Sequence, residues 1–311
     1  MFLNTFLTVA IIMIYAIVGF CIIRFKLIKK ESIPDFAKFL MFICQPILIL
    51  YSFNQATYTK ELGKTLLIAF GLIVAIFVLF LTTFILLFRK KYKEKIAYRI
   101  YTIASCFGNV GFLGVPILEA VFKDDPTALG TALAISSVFL VVMNEIGWTV
   151  GSLIISLDKK YVRLKMIFLN PSIIAIYVAL PLFFLGIKVP ARLDSVVTIL
   201  AKMTTPLCMV ILGMRLAVTN WKIVFANYKT YIIIFIKQII MPLVMLLFVF
   251  ALPIDQAVKQ ALVILSSAPI ASVVLNFSEM VGEGQEDAAS LVLCGTILCV
   301  LTMPLITLLI W

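Results

Sequence analysis

Residues Ser105–Pro116 read SCFGNVGFLGVP and sit inside an apolar run, 95–122, long enough to cross a bilayer. They are poor residues for the middle of a helix. Gly108, Gly111 and Gly114 lack side chains, and Asn109 is polar. Pro116 has no backbone donor and clashes with the turn before it, which frees the carbonyl of Phe112. In hydrocarbon a freed backbone group survives only when protein buries it or a water-filled cavity reaches it. The stretch therefore predicts a polar spot at a depth where lipid forbids one, and the rest of the chain reads as the structure that carries it.

Of the 311 residues, 63% are hydrophobic and 13% charged, against roughly 45–50% and about 25% in a soluble domain. That excludes a soluble globular class and predicts a polytopic membrane protein. Arg24, Lys26, Lys29 and Lys30 follow the first apolar run instead of preceding it. This is the reverse of a secretory signal, so the run is expected to stay as a span with its N-terminus outside. The net charge of +11 comes largely from short loops. Positive-inside bias accounts for it, and no nucleic-acid partner is expected. Histidine is absent, and the six cysteines lie in apolar runs without a CxxC pair. Histidine triads and relays are excluded, and no metal or other cofactor is expected.

Ten runs are long enough for helical spans: 3–23, 36–55, 63–88, 95–122, 126–157, 171–187, 192–217, 228–250, 257–281 and 286–311. Odd-numbered loops with their flanks hold 18 of the 26 basic residues and even-numbered loops 6, while Lys202 and Lys237 lie within spans. This places the odd loops in the cytoplasm and both termini outside. Three features recur at one offset: Pro46 and Pro206, Asn109 and Pro269, and the starts of spans 5 and 10 at Pro126 and Glu286 are each 160 residues apart. The expected organisation is two five-span repeats, 1–157 and 171–311, with a cytoplasmic linker at 158–170 that includes an amphipathic surface helix. Five spans per half force the second half upside down. Inverted repeats with matching broken helices are a mark of secondary transporters.

Span 9 carries the second interruption, Ser266-Ser267-Ala268-Pro269, where Pro269 frees the carbonyl of Leu265. Glycine-mediated helix packing is the competing reading of span 4. Broken spans that cross at the midplane would each aim a half-helix N-terminus at the crossing, favouring an anion. One such end contributes up to about 2 kcal/mol in a partly buried setting. The candidate binding residues are Asn109, Gly108, Gly111, Ser105, Pro116, Ser266, Ser267 and Pro269; Asn276 is expected to lie too deep in the second half-helix to join them. Charges within spans are costly. Glu145, Asn144 and Lys237 form a candidate coupling or support group, since Glu145 and Lys237 both lie about 12–18 Å from the cytoplasmic face. A structural ion pair is the competing reading. Lys202 is expected to snorkel outward or line an interface, and Glu119 with Lys123 to form a structural i,i+4 pair. Pro46 and Pro206 read as kinks.

At these residues the chain resembles the auxin efflux carrier family, which includes bacterial malate-permease-like proteins and, more remotely, the plant PIN carriers. The resemblance rests on GNVGFLGVPIL at 108–118, PLCMVILGMRL at 206–216, KQIIMPL at 237–243, APIAS at 268–272 and CGTILCVLTMPL at 294–305. It implies an all-α membrane fold of ten transmembrane helices in two inverted five-helix repeats, with broken helices 4 and 9 crossing. It also implies a scaffold of spans 1, 2, 6 and 7, often a homodimer, beside a transport unit of spans 3–5 and 8–10. Asn109 matches the asparagine that touches substrate carboxylate in the PIN branch, and Lys237 the lysine of its support site. The acid that this branch uses in span 3 is missing, as is its long cytosolic loop. The expected function is secondary transport of a small organic anion such as malate or malonate across the cytoplasmic membrane. A sodium-coupled symporter of the bile-acid-transporter type, a non-transporting sensor and a channel are the rival readings. An intramembrane enzyme is not expected, because no span carries a DxxxD or metal-ligand pattern.

Overall fold

The computed structural model describes residues 2–158, 160, 169–219 and 221–310. The first half of the chain gives α1 (Phe2–Arg24), α2 (Lys30–Gln55), α3 (Lys60–Leu87), α4 (Ile96–Ala104), α5 (Val110–Val121) and α6 (Pro126–Ser156). The second gives α7 (Pro171–Phe184), α8 (Ala191–Val218), α9 (Trp221–Ala226), α10 (Tyr228–Phe250), α11 (Gln256–Ser267), α12 (Val273–Val281) and α13 (Gln285–Thr307). The surface helix expected within 158–170 lies almost wholly outside the described residues.

Seven of these helices are long and apolar enough to cross a membrane: α1, α2, α3, α6, α8, α10 and α13. Their outward faces present Ile17, Leu67, Leu86, Ile199 and Leu247 without cover, a belt that suits lipid and not water. The chain is a multi-pass membrane protein. The other three expected runs differ in form. Run 95–122 is divided between α4 and α5, and run 257–281 between α11 and α12, each with non-helical residues at the break. Run 171–187 yields a 14-residue α7, about 21 Å of helix against a core of about 30 Å.

Several prolines are absorbed without ending their helices, three of them by one device. Pro46, Pro116 and Pro242 each follow a widened turn: the amides of Gln45, Val115 and Met241 donate five residues back, to Leu40, Val110 and Ile236. The wider turn gives the ring room where a regular one would clash.

Helix α1 packs on α8, and α2 on α7 and α8. The first contact depends on two glycines. A Cβ on Gly19 would collide with the carbonyl of Val210, and one on Gly213 with that of Ala16. Both obstacles are backbone, so nothing can swing aside. Gly213→Val is therefore expected to cost about 1–3 kcal/mol by overpacking, seen as a lower unfolding temperature of the detergent-solubilised protein. Gly71→Ala, where a Cβ meets nothing within 4 Å, is the control and should leave it unchanged.

Candidate functional site

The two interrupted helices meet at their breaks. Gly108 and Ile270 form an antiparallel bridge. The amide of Asn109 donates to the Pro269 carbonyl at 2.6 Å, and that of Ala271 to the Phe107 carbonyl at 3.0 Å. Each break thus supplies partners for the other, as buried backbone requires. The second halves, α5 and α12, both begin at this bridge, so both N-termini face it. The Leu265 carbonyl, expected to be free, accepts from the Ala268 amide at 3.3 Å, because the chain tightens into a turn before Pro269.

Lys237 completes the junction. It is fully buried, and its Nζ donates to the Ser266 carbonyl at 2.6 Å and the Ala268 carbonyl at 2.9 Å. An ammonium has three donors and no acceptor, which suits a helix end whose carbonyls lost their partners. Gly108 is needed here: a Cβ would sit 3.0 Å from Lys237 Nζ and 3.3 Å from the Ala268 oxygen. Next to it, Gln238 donates to the Gly295 carbonyl at 2.7 Å and accepts from Thr302 at 2.6 Å, tying α10 to α13.

A cavity of about 720 Å³ runs from Asn109 to Lys30 and Lys38, beside the first odd-numbered loop. Its walls are largely apolar, with Met41, Phe112, Trp148 and Leu212 among them, and its polar groups include Asn109, Ser272 and Asn276. Asn109 is 7% exposed. Its side-chain nitrogen has one partner among the described residues, Cys208 Sγ at 4.0 Å. A thiol is a weak acceptor, so the amide remains open to a ligand. A second cavity of about 320 Å³, lined by Tyr51, Pro116, Glu119 and Lys202, lies at the opposite ends of these helices.

Of the eight binding residues expected from sequence, only Asn109 lines the large cavity. Ser105, Ser266 and Ser267 are buried and turn their hydroxyls onto carbonyls of their own helices, Thr102, Leu262 and Ile264, at 2.7–2.8 Å. Gly108 and Pro269 belong to the bridge. Gly111 packs against Leu48 and Leu140, and Pro116 lines the second cavity. Glu145 and Lys237 do not pair, because Lys237 is turned into the break of α11 and α12. Asn144 Nδ2 is buried without a partner among the described residues. Glu119 accepts from Tyr51 Oη at 3.3 Å, and Lys123 lies nearest Asp124 instead. Lys202 is exposed along the second cavity, as expected. Asn276, expected to lie out of reach, lines the large cavity with Ser272. Arg215 lines it too, although in the sequence it serves only as one of the basic residues that orient the chain. Its position seven residues after Cys208, on the same helix face, is the signal that would have found it.

Paired helix breaks around a cavity in a multi-pass protein are the architecture of a membrane transporter. The sequence pattern of the family described as membrane transport protein matches residues 5–165 and again 157–307. The chain belongs to this family, the auxin efflux carriers. A comparison with curated proteins finds no match.

Lys237→Met keeps the length of the side chain but leaves two carbonyls without their donor. The expected loss is about 1–3 kcal/mol per buried group, read as a fall in unfolding temperature. A second readout is cysteine labelling at position 268, which should rise as the break loosens.

Proposed function

We propose that this chain is a secondary carrier of small organic anions, carboxylates such as malate or malonate, working by elevator-like alternating access. One observation carries the reading. The open amide of Asn109 stands where two broken helices meet, at the head of a cavity that reaches the basic-loop side. The Asn109 amide and two helix N-termini offer donors and partial positive charge to an anion.

The fold is read as ten spans in two inverted repeats, 1–157 and 171–311, with α4–α5 and α11–α12 as crossing helices 4 and 9. The twofold match of the family pattern supports this. So does the packing: exchange of the halves turns the contact of α1 with α8 into that of α7 with α2. Glu119 and Glu279 also stand 160 residues apart. Glu119 is tied to Tyr51 of α2 beside the small cavity, whereas Glu279 lines the large one. This asymmetry fits a carrier open to the cytoplasm and closed outside. Spans 1, 2, 6 and 7 form the scaffold, where a homodimer would join, and spans 3–5 and 8–10 the moving unit. Both termini lie outside a cytoplasmic membrane. In this reading Lys237 is the support group of the helix break, and Glu145 with Asn144 of α6 is a separate candidate for coupling.

Asn109→Ala is expected to abolish carboxylate flux in proteoliposomes while protein yield and unfolding temperature stay at wild-type values. Wild-type flux from that variant would end the role of Asn109. Flux without a sodium gradient is expected to equal flux with one, and a strict sodium requirement would favour the symporter reading.

A further inference from the structure

The large cavity holds a charged group with no role so far. Arg215, near the end of α8, lines it with Asn109, Asn276 and Glu279. Its side chain is 15% exposed. A guanidinium offers five donors in a fixed fork, and little here fills them. Nη2 donates to Asn276 Oδ1 at 3.4 Å, near the limit of a hydrogen bond. Glu279 Oε1 stands 3.9 Å away, beyond hydrogen-bond range, on a side chain that is half exposed. Nη1 is buried with no partner among the described residues. An arginine–carboxylate pair at rest closes to about 2.8 Å and commonly uses both arms of the fork. This pair does neither, although a cation within a membrane protein is costly to leave unmatched.

The placement adds to this. Cys208, which touches the Asn109 amide, precedes Arg215 by seven residues on one face of α8, about 10 Å along the axis. The Cα–Cβ bond of a helical residue tilts toward the helix N-terminus, here the direction of Cys208, and the guanidinium lies beside Asn276 and Glu279 of α12. The cavity's other lining cations, Lys30 and Lys38, are exposed at its mouth, and Lys38 is paired with Asp35 at 3.1 Å. Among the described residues, Arg215 is thus the least exposed cation of the cavity wall.

We propose that Arg215 binds the second negative group of a two-headed organic anion whose first carboxylate meets Asn109, and that Glu279 stands in for that group while the cavity is empty. The assignment rests on the cavity being the substrate path. The guanidinium fork matches a carboxylate in two-point contact. Glu279 is already half in water, so its displacement is a small loss set against two charge-assisted bonds. Arg215 would then set a preference for dicarboxylates over monocarboxylates.

The test uses purified protein in phosphatidylcholine nanodiscs, titrated calorimetrically with malate, malonate and butyrate. Arg215→Gln is expected to weaken malate and malonate by at least about tenfold, the scale of one charge-assisted contact, and to leave butyrate within about twofold. Glu279→Gln should tighten both dicarboxylates by about two- to fivefold through removal of the competitor. Arg215→Lys keeps the charge without the fork, and it serves where Arg215→Gln fails to fold. It should fall between wild type and Arg215→Gln. Wild-type dicarboxylate affinity in the arginine variants, equal weakening of butyrate, or weaker binding by Glu279→Gln would each overturn the assignment. So would stabilisation of the wild type by phosphatidylglycerol with no response to malate, which would give Arg215 to a lipid headgroup. If Asn109→Ala loses all three probes and Arg215→Gln none, the cavity remains the substrate site and Arg215 is structural. If Arg215→Gln loses the dicarboxylates while Asn109→Ala binds everything normally, Arg215 keeps its role and Asn109 loses its own. If wild type binds none of the probes, both readings fall.

Discussion

A helix broken inside a membrane leaves amides and carbonyls with no water to take them, and this molecule is arranged around that constraint. Each break could not persist alone. Together they exchange two backbone hydrogen bonds, Asn109 to Pro269 and Ala271 to Phe107. The ammonium of Lys237 holds two further carbonyls, those of Ser266 and Ala268. The glycine at 108 follows from this, since any larger residue would push the ammonium or the Ala268 carbonyl away.

Stability and the proposed function draw on the same junction in different ways. Groups that close the breaks are buried and hydrogen-bonded, and they fix the geometry. Among the described residues, groups that face the cavity are left under-satisfied: the Asn109 side-chain nitrogen has only a thiol partner, and Arg215 has an unfilled donor. In a membrane interior such open donors carry a standing cost. In the proposed carrier that cost would be relieved by a ligand that fills the donors.

Much of this was legible in the residues. The glycines, Asn109 and Pro116 marked the first break, and the 160-residue offset to Pro269 located the second. The positions of both breaks follow from covalent chemistry: proline lacks a donor and glycine lacks a Cβ wherever they occur. Other features were misread for identifiable reasons. Ser105, Ser266 and Ser267 were candidates because a hydroxyl near a break can turn toward a ligand. Each instead bonds a carbonyl one turn back, a local option open to any serine in a helix. Glu145 and Lys237 were matched by depth alone, and depth says nothing about which way a side chain turns.

The sequence by itself determined the class of protein, the number and places of the broken segments, and the asparagine at the first break. These depend on composition, period and the fixed properties of single residues. Tertiary structure decided which donors are consumed and which stay open. It turned Lys237 from an expected partner of Glu145 into the support of the α11–α12 break, brought Asn276 to the cavity, and moved Arg215 from an orienting charge into its wall. The physical reason is that a hydrogen bond or ion pair depends on direction and distance across helices far apart in the chain. No spacing along one helix encodes that.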